Sequence, residues 1–372
     1  MTRSPESPLR PTSYIRALPL RGRVARPQPK GLPVINLGFN ELPFGPSPKV
    51  AAAIADAGNS ANRYGAPGCD ALREALGAAN GLDPDTLICG NGSEELLDVI
   101  GRNFARPGDE ILISQFGYIQ FVLAAHRLGA TLVKAPERAF TTDIDALLAA
   151  ITPRTRLIFL ANPNNPTGTV LPVDELARLA RGVPGDVVLV LDLAYGEFTG
   201  FDYVAAVHDL ARGFENVIVT RTFSKAYGLA GLRAGWAQVP AWMLPGFYIA
   251  RGMGSVNHMA QAAALAALED IEVVRERVAV ILSERRRVAE RLAALGLSCC
   301  PSGTNFLMAR IDGAGPEVTE ALVEYLFDAG GLVVNRTREA GLEQFFRFSL
   351  GLPAQNDLLL DCTARFQQAR PV

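Results

Sequence analysis

The chain has few of the residues that carry metal or redox chemistry. Its 372 residues include three histidines and five cysteines. Cys69, Cys89, Cys299, Cys300 and Cys362 are odd in number and fit no zinc spacing, and the adjacent Cys299 and Cys300 suit tetrahedral ligation poorly. His126, His208 and His258 show no ligand spacing either, so no resident metal is expected. The thiols read as reduced groups of a cytoplasmic protein. Neither sign of charge is in excess: 36 basic against 38 acidic residues leaves −2, which argues against a nucleic-acid partner. No apolar run comes near the roughly 20 residues of a membrane-spanning helix; Val187–Leu191 is among the longest. Met1–Lys30 has six Arg and six Pro but no continuous apolar stretch. It therefore reads as neither a secretory signal nor an amphipathic transit helix, and its first dozen residues read as a flexible leader. A Walker-type GxxxxGK[ST] is missing, and Gly252-Met253-Gly254 runs on into Ser255-Val256-Asn257 with no third glycine, which excludes the dinucleotide fingerprint. A ligand-sensing regulator would need an attached DNA-binding segment, and the short, proline-rich stretch before Leu37 does not suit one.

What is present is an ordinary globular composition, 49% apolar and 20% charged, long enough for two or three domains and a large core. From about residue 85 to 235, short apolar runs alternate with amphipathic stretches. Glu110–Ser114, Thr131–Lys134, Leu157–Leu160, Val187–Asp192 and Val217–Thr220 are rich in Val, Ile and Leu without polar alternation, as strands covered on both faces are. Between them, Ser93–Phe104, Tyr118–Leu128, Asp143–Ala150 and Val173–Arg181 read as helices, the first opening on Ser93 with Glu94 and Glu95 behind it. This alternation predicts an α/β fold with a mainly parallel sheet flanked by helices. After Gly254 the pattern changes. Val274, Val278, Ile281, Val288, Leu292 and Leu295 mark one long amphipathic helix over 271–295, and strand-like pieces follow at Thr304–Ala309, Gly331–Val334 and Phe345–Leu350. The expected organisation is an N-terminal arm (1–40), a large domain (41–257) and a smaller α+β domain (258–372), with the arm packed on the smaller domain or on a neighbouring subunit.

Ligands of open α/β sheets sit beyond the carboxyl ends of the strands, and four polar clusters fall there. Gly90-Asn91-Gly92-Ser93-Glu94-Glu95 feeds a helix N-terminus, which offers free N–H groups to an anion and is also an ordinary capped helix start. Asn162-Pro163-Asn164-Asn165-Pro166-Thr167-Gly168 follows a buried strand and by itself reads as a turn. Asp192 ends another strand, either as an N-cap or as partner to a buried cation. Arg221-Thr222-Phe223-Ser224-Lys225 follows a third, with Arg233 eight residues beyond the lysine. A phosphate-ready helix start, a carboxylate, a lysine flanked by hydroxyls and an arginine together match the needs of pyridoxal 5'-phosphate.

With these clusters in place, the chain resembles the fold-type I pyridoxal-phosphate aminotransferases, within them the histidinol-phosphate aminotransferase-like branch. The resemblance runs from about Leu37 to Leu350. It rests on Asn40-Glu41-Leu42-Pro43-Phe44-Gly45-Pro46-Ser47-Pro48, Asn62-Arg63-Tyr64, Asn164 to Gly168, Asp192-Leu193-Ala194-Tyr195, and most specifically RTFSKAYGLAGLRAG from Arg221 to Gly235. It implies that Lys225 is the lysine joined to the cofactor aldehyde, Asp192 the partner of the ring nitrogen, and Tyr195 and Asn165 the donors to the ring's phenolic oxygen. Ser93 and Glu94 (through backbone N–H groups), Thr222, Ser224 and Arg233 then form the phosphate cup. Tyr64 is implied to reach the phosphate of the other subunit, hence a homodimer with shared sites. Phe116 is implied to stack on the ring, and Arg347 to clamp the substrate α-carboxylate. Arg336 stands open between a contact to the distal substrate group and a solvated side chain beside Arg338. Tyr14 is an expected member of an arm over the site.

Three positions depart from the family pattern: Phe116 where Tyr is commoner, Leu193 where an acid is common, and Leu42 where Asn is usual. They leave the cofactor expectations intact and the substrate open. The implied activity is transfer of an amino group between an L-amino acid, or an amino-alcohol phosphate such as histidinol phosphate, and a 2-oxo acid. The same residues also serve decarboxylases related to the threonine-phosphate enzymes and other enzymes of specialised metabolism, since pocket shape decides which bond at Cα breaks.

Overall fold

A computed structural model describes residues 31–369. Tyr14 and the rest of the segment read as a leader lie outside the described residues. The large sheet has seven strands: β1 (Leu87–Gly90), β2 (Glu110–Ser114), β3 (Thr131–Ala135), β4 (Thr155–Ala161), β5 (Val188–Asp192), β6 (Val217–Thr222) and β7 (Gly235–Gln238). Their spatial order is β1-β7-β6-β5-β4-β2-β3. Neighbours from β6 to β3 pair in parallel, and β7 runs antiparallel to both β1 and β6. The sheet is therefore mainly parallel, as expected. β2, β5 and β6 are buried at every position, which is why they read as unbroken apolar runs.

Helix α1 (Pro48–Gly58) starts on Ser47, whose hydroxyl accepts the Val50 N–H. Helix α2 (Ser93–Phe104) follows β1, and α3 (Ile119–Leu128) follows β2. Helix α4 (His258–Glu269) packs on α1 and on the helix Asp70–Asn80. Helix α5 (Ile271–Ala294) buries Val274, Val278, Ile281, Val288 and Leu292, the stripe read from the sequence, together with Glu284, which is held by Arg287 and Asn356. A second, four-stranded sheet holds β8 (Leu297–Cys299), β9 (Phe306–Ile311), β10 (Asn335–Arg336) and β11 (Phe346–Ser349) in the antiparallel order β8-β9-β11-β10. Helices α6 (Pro316–Gly330) and α7 (Pro353–Ala369) pack on each other beside it. Among the described residues no helix is long and apolar enough to cross a membrane.

The described N-terminal residues are tied to this second sheet region. Ile35–Asn36 pairs in parallel with Leu332–Val333, and the Leu37 carbonyl accepts the Ser349 N–H at 2.7 Å. The stretch Gly38–Asn40 is thereby laid across the carboxyl ends of the large sheet, where Lys225 meets its carbonyls.

One buried polar network braces the sheet from within. Arg221 pairs with Glu197, both almost fully buried, and donates to His208 Nε2 at 3.0 Å, while His208 Nδ1 donates to Gln238 at 2.6 Å. Burial and the Arg221 charge push the His208 midpoint down to about 3, so the imidazole is neutral, and it stacks on Trp236. Removing one member of a buried ion pair strands the other's charge, which costs about 3–5 kcal/mol. Arg221→Ala is expected to lose stability of that order in guanidinium denaturation, and Glu197→Gln added to it should recover part. A loss under about 1 kcal/mol would contradict this account of the network.

Candidate active site

A cavity of about 120 Å³ opens at the carboxyl ends of β4, β5 and β6. Nine of the residues expected from the sequence line it: Ser93, Glu94, Asn165, Asp192, Tyr195, Thr222, Ser224, Lys225 and Arg233. Four of its lining residues, Tyr118, Asn165, Tyr195 and Lys225, also line a wider pocket of about 530 Å³, so the two spaces adjoin. The wider pocket adds Arg347, Arg336, Arg338, Asn40 and Gln120.

Sheet register sets the inner wall. Asp192 lies opposite Ala161 on one side and Thr220 on the other. Its carboxylate accepts the Thr220 hydroxyl at 2.9 Å and the Ala194 N–H. Burial pushes its midpoint up to about 6, offset only in part by those two hydrogen bonds and by the nearby Lys225 charge. Lys225 Nζ donates to the carbonyls of Phe39 (3.2 Å) and Asn40 (3.1 Å). Burial, with Arg347 and then Arg233 nearby, brings its midpoint down to about 8, against weaker upward pulls from Glu41 and Asp192. Both groups are thus shifted toward their neutral forms.

The three asparagines after β4 divide their work. Asn162 exchanges hydrogen bonds with the Leu171 backbone, and Asn164 holds Thr167 and the Phe116 carbonyl, so both stabilise the turn. Asn165 faces the cavity, with Nδ2 3.4 Å from the Tyr195 hydroxyl and Oδ1 accepting from Arg347. At the opposite wall α2 begins on Gly92 (φ +80°) with no side-chain cap, leaving its first N–H groups unclaimed by the chain. Arg233 Nη1 donates to Ser224 Oγ at 3.2 Å beside them. The close approach depends on glycine: a Cβ at Gly235 would lie 2.4 Å from Ser93 N, and one at Gly92 2.6 Å from Arg233 Nη2.

Phe116 does not line either space. It packs among Phe140, Cys300, Met308, Leu342 and Phe345. Its backbone N–H is held by the Glu137 carboxylate at 3.1 Å, which fixes the turn after β2. Tyr118, two residues on, lines the cavity in its stead, so an aromatic face with a hydroxyl is present after all. Arg347 is buried; Nη2 donates to the Gly38 carbonyl at 3.0 Å, and its Nε has no partner. Arg336 lines the wider pocket but also pairs with Glu320 and Glu324 on α6. Tyr64 lies elsewhere, 96% exposed, near Gly254. Asn40, which the sequence reading quoted within a motif without assigning it a part, donates to the Tyr195 hydroxyl at 2.8 Å.

Residues 33–361 match the model of the aminotransferase class I and II family. This chain belongs to that family. It is 42% identical over 329 residues to the histidinol-phosphate aminotransferase of Rhodospirillum centenum, covering 88% of this chain and 90% of that one. It is 40% identical over 339 residues to the enzyme of the same name from Granulibacter bethesdensis, covering 91% and 90%. Among solved structures it is similar to histidinol-phosphate aminotransferase from Sinorhizobium meliloti in complex with pyridoxal-5'-phosphate, with TM-score 0.89, 31% identity and 97% and 98% of the chains covered. The aspartate aminotransferase of Rhizobium meliloti shares the fold, with TM-score 0.81 at 24% identity over 97% and 99% of the chains. The chain is an enzyme, an aminotransferase of fold type I.

Asp192 gives a measurable pH signature. Its midpoint lies near 6 in the fold against 3.8 for a free side chain, so between those values the folded protein holds a proton that the unfolded chain has lost. The contribution to stability is full below 3.8 and lost as pH rises through 6; above that, burying the charge costs on the order of 3 kcal/mol. In cofactor-free protein, Asp192→Asn is expected to be more stable than wild type at pH 8, with the difference vanishing below pH 4. Urea denaturation at several pH values reads this directly. A variant less stable than wild type at pH 8 would contradict the assignment of a buried, unneutralised acid.

Proposed function

We propose that this aminotransferase uses pyridoxal 5'-phosphate held by the residues of the inner cavity, and that it exchanges the amino group of histidinol phosphate with a 2-oxo acid. The observation that carries the cofactor reading is the chemistry of the cavity's two ends. A buried carboxylate that its hydrogen bonds and the Lys225 charge only partly stabilise lies at one, and an uncapped helix start with two hydroxyls and an arginine lies at the other. A ligand with a protonated ring nitrogen and a phosphate dianion answers both needs.

When bound, the cofactor supplies an electron-poor ring that draws electrons from the substrate's Cα–H bond. The chain's residues do the rest. The Lys225 amine, with its midpoint near 8, is partly unprotonated near neutral pH; it would be the group that holds the cofactor aldehyde and the base that receives the proton of the substrate's α-carbon. Asp192 would hold the proton at the ring nitrogen. Tyr195 and Asn165 would donate to the ring's phenolic oxygen, with Tyr118 beside the ring. Ser93, Glu94, Thr222, Ser224 and Arg233 would hold the phosphate. Arg347 clamps the α-carboxylate of an amino-acid substrate. Its unpartnered Nε is a donor in reserve for that carboxylate.

The substrate reading rests on the relatives' name together with the wider pocket, where Arg336 and Arg338 add positive charge beyond Arg347. That pocket suits a phosphate or carboxylate at the far end of a substrate. Glu320 and Glu324 temper the charge of Arg336, so the group it meets must compete with them.

We also propose a homodimer with shared sites in the cytoplasm. Tyr64 is 96%, Met253 92% and Ile249 86% exposed, an apolar set that a second copy would cover, with the Tyr64 hydroxyl reaching the partner's phosphate cup. The five free thiols suit a reducing compartment.

Amino donors mixed singly with the loaded enzyme test the reaction. Histidinol phosphate is expected to convert the cofactor to its amine form, with turnover restored by 2-oxoglutarate, and Arg336→Gln should raise KM for histidinol phosphate about tenfold with kcat little changed. Release of carbon dioxide from an amino acid with no amine form would point to decarboxylation. Tyr64→Phe is expected to weaken cofactor binding about tenfold, the scale of one hydrogen bond to a charged group, while leaving the dimer intact in sedimentation.

A further inference from the structure

The Tyr195 hydroxyl has one proton to give and two lone pairs to fill. Asn40 Nδ2 donates to it at 2.8 Å, and Asn165 Nδ2 approaches at 3.4 Å. Both neighbours are amide donors, so the phenol oxygen acts as acceptor on that side and its own proton is turned outward, into the cavity that Tyr195 lines. Asn40 is the shorter contact and the more rigidly held. Its N–H donates to Ser349 Oγ at 2.8 Å, and its carbonyl accepts from Asn305 Nδ2 and from Lys225 Nζ, each at 3.1 Å. Its backbone sits at φ +55°, a left-handed conformation that Asn, Asp and Gly adopt more readily than other residues. Asn40 is also 2% exposed, and among the described residues its side-chain oxygen makes no hydrogen bond and Tyr195 is the one partner of its side chain.

We propose that Asn40 is a positioning residue for Tyr195: its amide occupies the phenol oxygen as donor and so commits the phenolic proton to the ligand in the cavity. This rests on the reading that the ligand is pyridoxal phosphate, whose ring oxygen takes that proton. Asn40 acts through Tyr195 and not on the substrate. The same residue's carbonyl receives Lys225, so one short segment orients the phenol and the amine together.

Asn40→Asp keeps size and backbone preference but replaces the donor by an acceptor, so the Tyr195 proton turns back toward the new carboxylate. Asn40→Gly keeps the left-handed backbone and removes the side chain. The test is the visible absorbance of the pyridoxal-phosphate-loaded enzyme titrated with pH. A donor to the ring oxygen favours its ionised form and holds the titration midpoint low. Asn40→Asp is therefore expected to raise the midpoint by about one pH unit and Asn40→Gly by less, each with folding checked by its thermal transition. The deciding arm is the Tyr195→Phe background, where the neutral Asn40→Gly should move the midpoint no further and Asn40→Asp should move it less than in the presence of the hydroxyl. Equal shifts from either substitution with and without the Tyr195 hydroxyl, or no shift from Asn40→Asp in folded enzyme, would overturn the proposal. Lack of a pH-sensitive absorbance band in the loaded wild type would overturn the cofactor reading itself and this inference with it.

Discussion

A carboxylate buried at the end of a parallel strand, with no direct ion pair among the described residues, is the constraint around which the rest of the molecule is arranged. Asp192 sits between two strands whose register holds it, in a sheet covered on both faces, where an unpaired charge is costly. The protein meets part of that cost with the Thr220 hydroxyl and one backbone N–H and leaves the remainder as a raised proton affinity. Lys225, on the same cavity, is shifted the opposite way by the same burial. An acid and an amine whose charges are both made costly by burial form a site whose electrostatics are incomplete without a ligand. A ring that carries a proton at one end and an aldehyde near the other completes them.

The site is assembled from distant parts of the chain. Gly38, Phe39 and Asn40 contribute carbonyls to Arg347 and Lys225, and they are placed by a two-residue strand pairing at Ile35–Asn36 and by hydrogen bonds to β11. The inner cavity opens at strand ends of the large sheet, and Arg347 stands on the small one. A change in how the two sheets sit would therefore alter Arg347 and the two carbonyls on Lys225 together. Under the cavity, the Glu197–Arg221–His208–Gln238 chain holds β6 and β7 in place and reaches no ligand-lining atom.

Much of this was legible in the sequence, and for physical reasons. Strands covered on both faces must be apolar throughout, so β2, β5 and β6 stood out, whereas β3 lies at the sheet edge with Thr131 and Lys134 exposed; the charged residues at the buried strand ends were conspicuous because such ends tolerate charge only for a purpose. Nine cavity residues followed from those ends and from the motifs around them. β7 escaped notice because Gly-Trp-Ala-Gln lacks β-branched residues and is defined by pairing with strands far away in sequence. Phe116 is turned away from the cavity, and Tyr118 into its lining, by a bend after β2 that the Glu137 carboxylate clamps from 21 residues on, a contact with no local signature. Asn40's part depended on Ser349, 309 residues distant. The ion pairs of Arg336 with Glu320 and Glu324 join a strand to a helix face that periodicity alone does not orient.

The most direct test of the central claim is chemical trapping at Lys225. The protein is loaded with pyridoxal phosphate, reduced with borohydride, digested, and its peptides weighed. The account predicts one stable phosphopyridoxyl adduct, on Lys225 in the segment from Thr222 to Arg233, formed faster as pH rises toward 8 and poorly in Asp192→Asn. An adduct on another lysine, or equal labelling in the presence and absence of the Asp192 carboxylate, would contradict it.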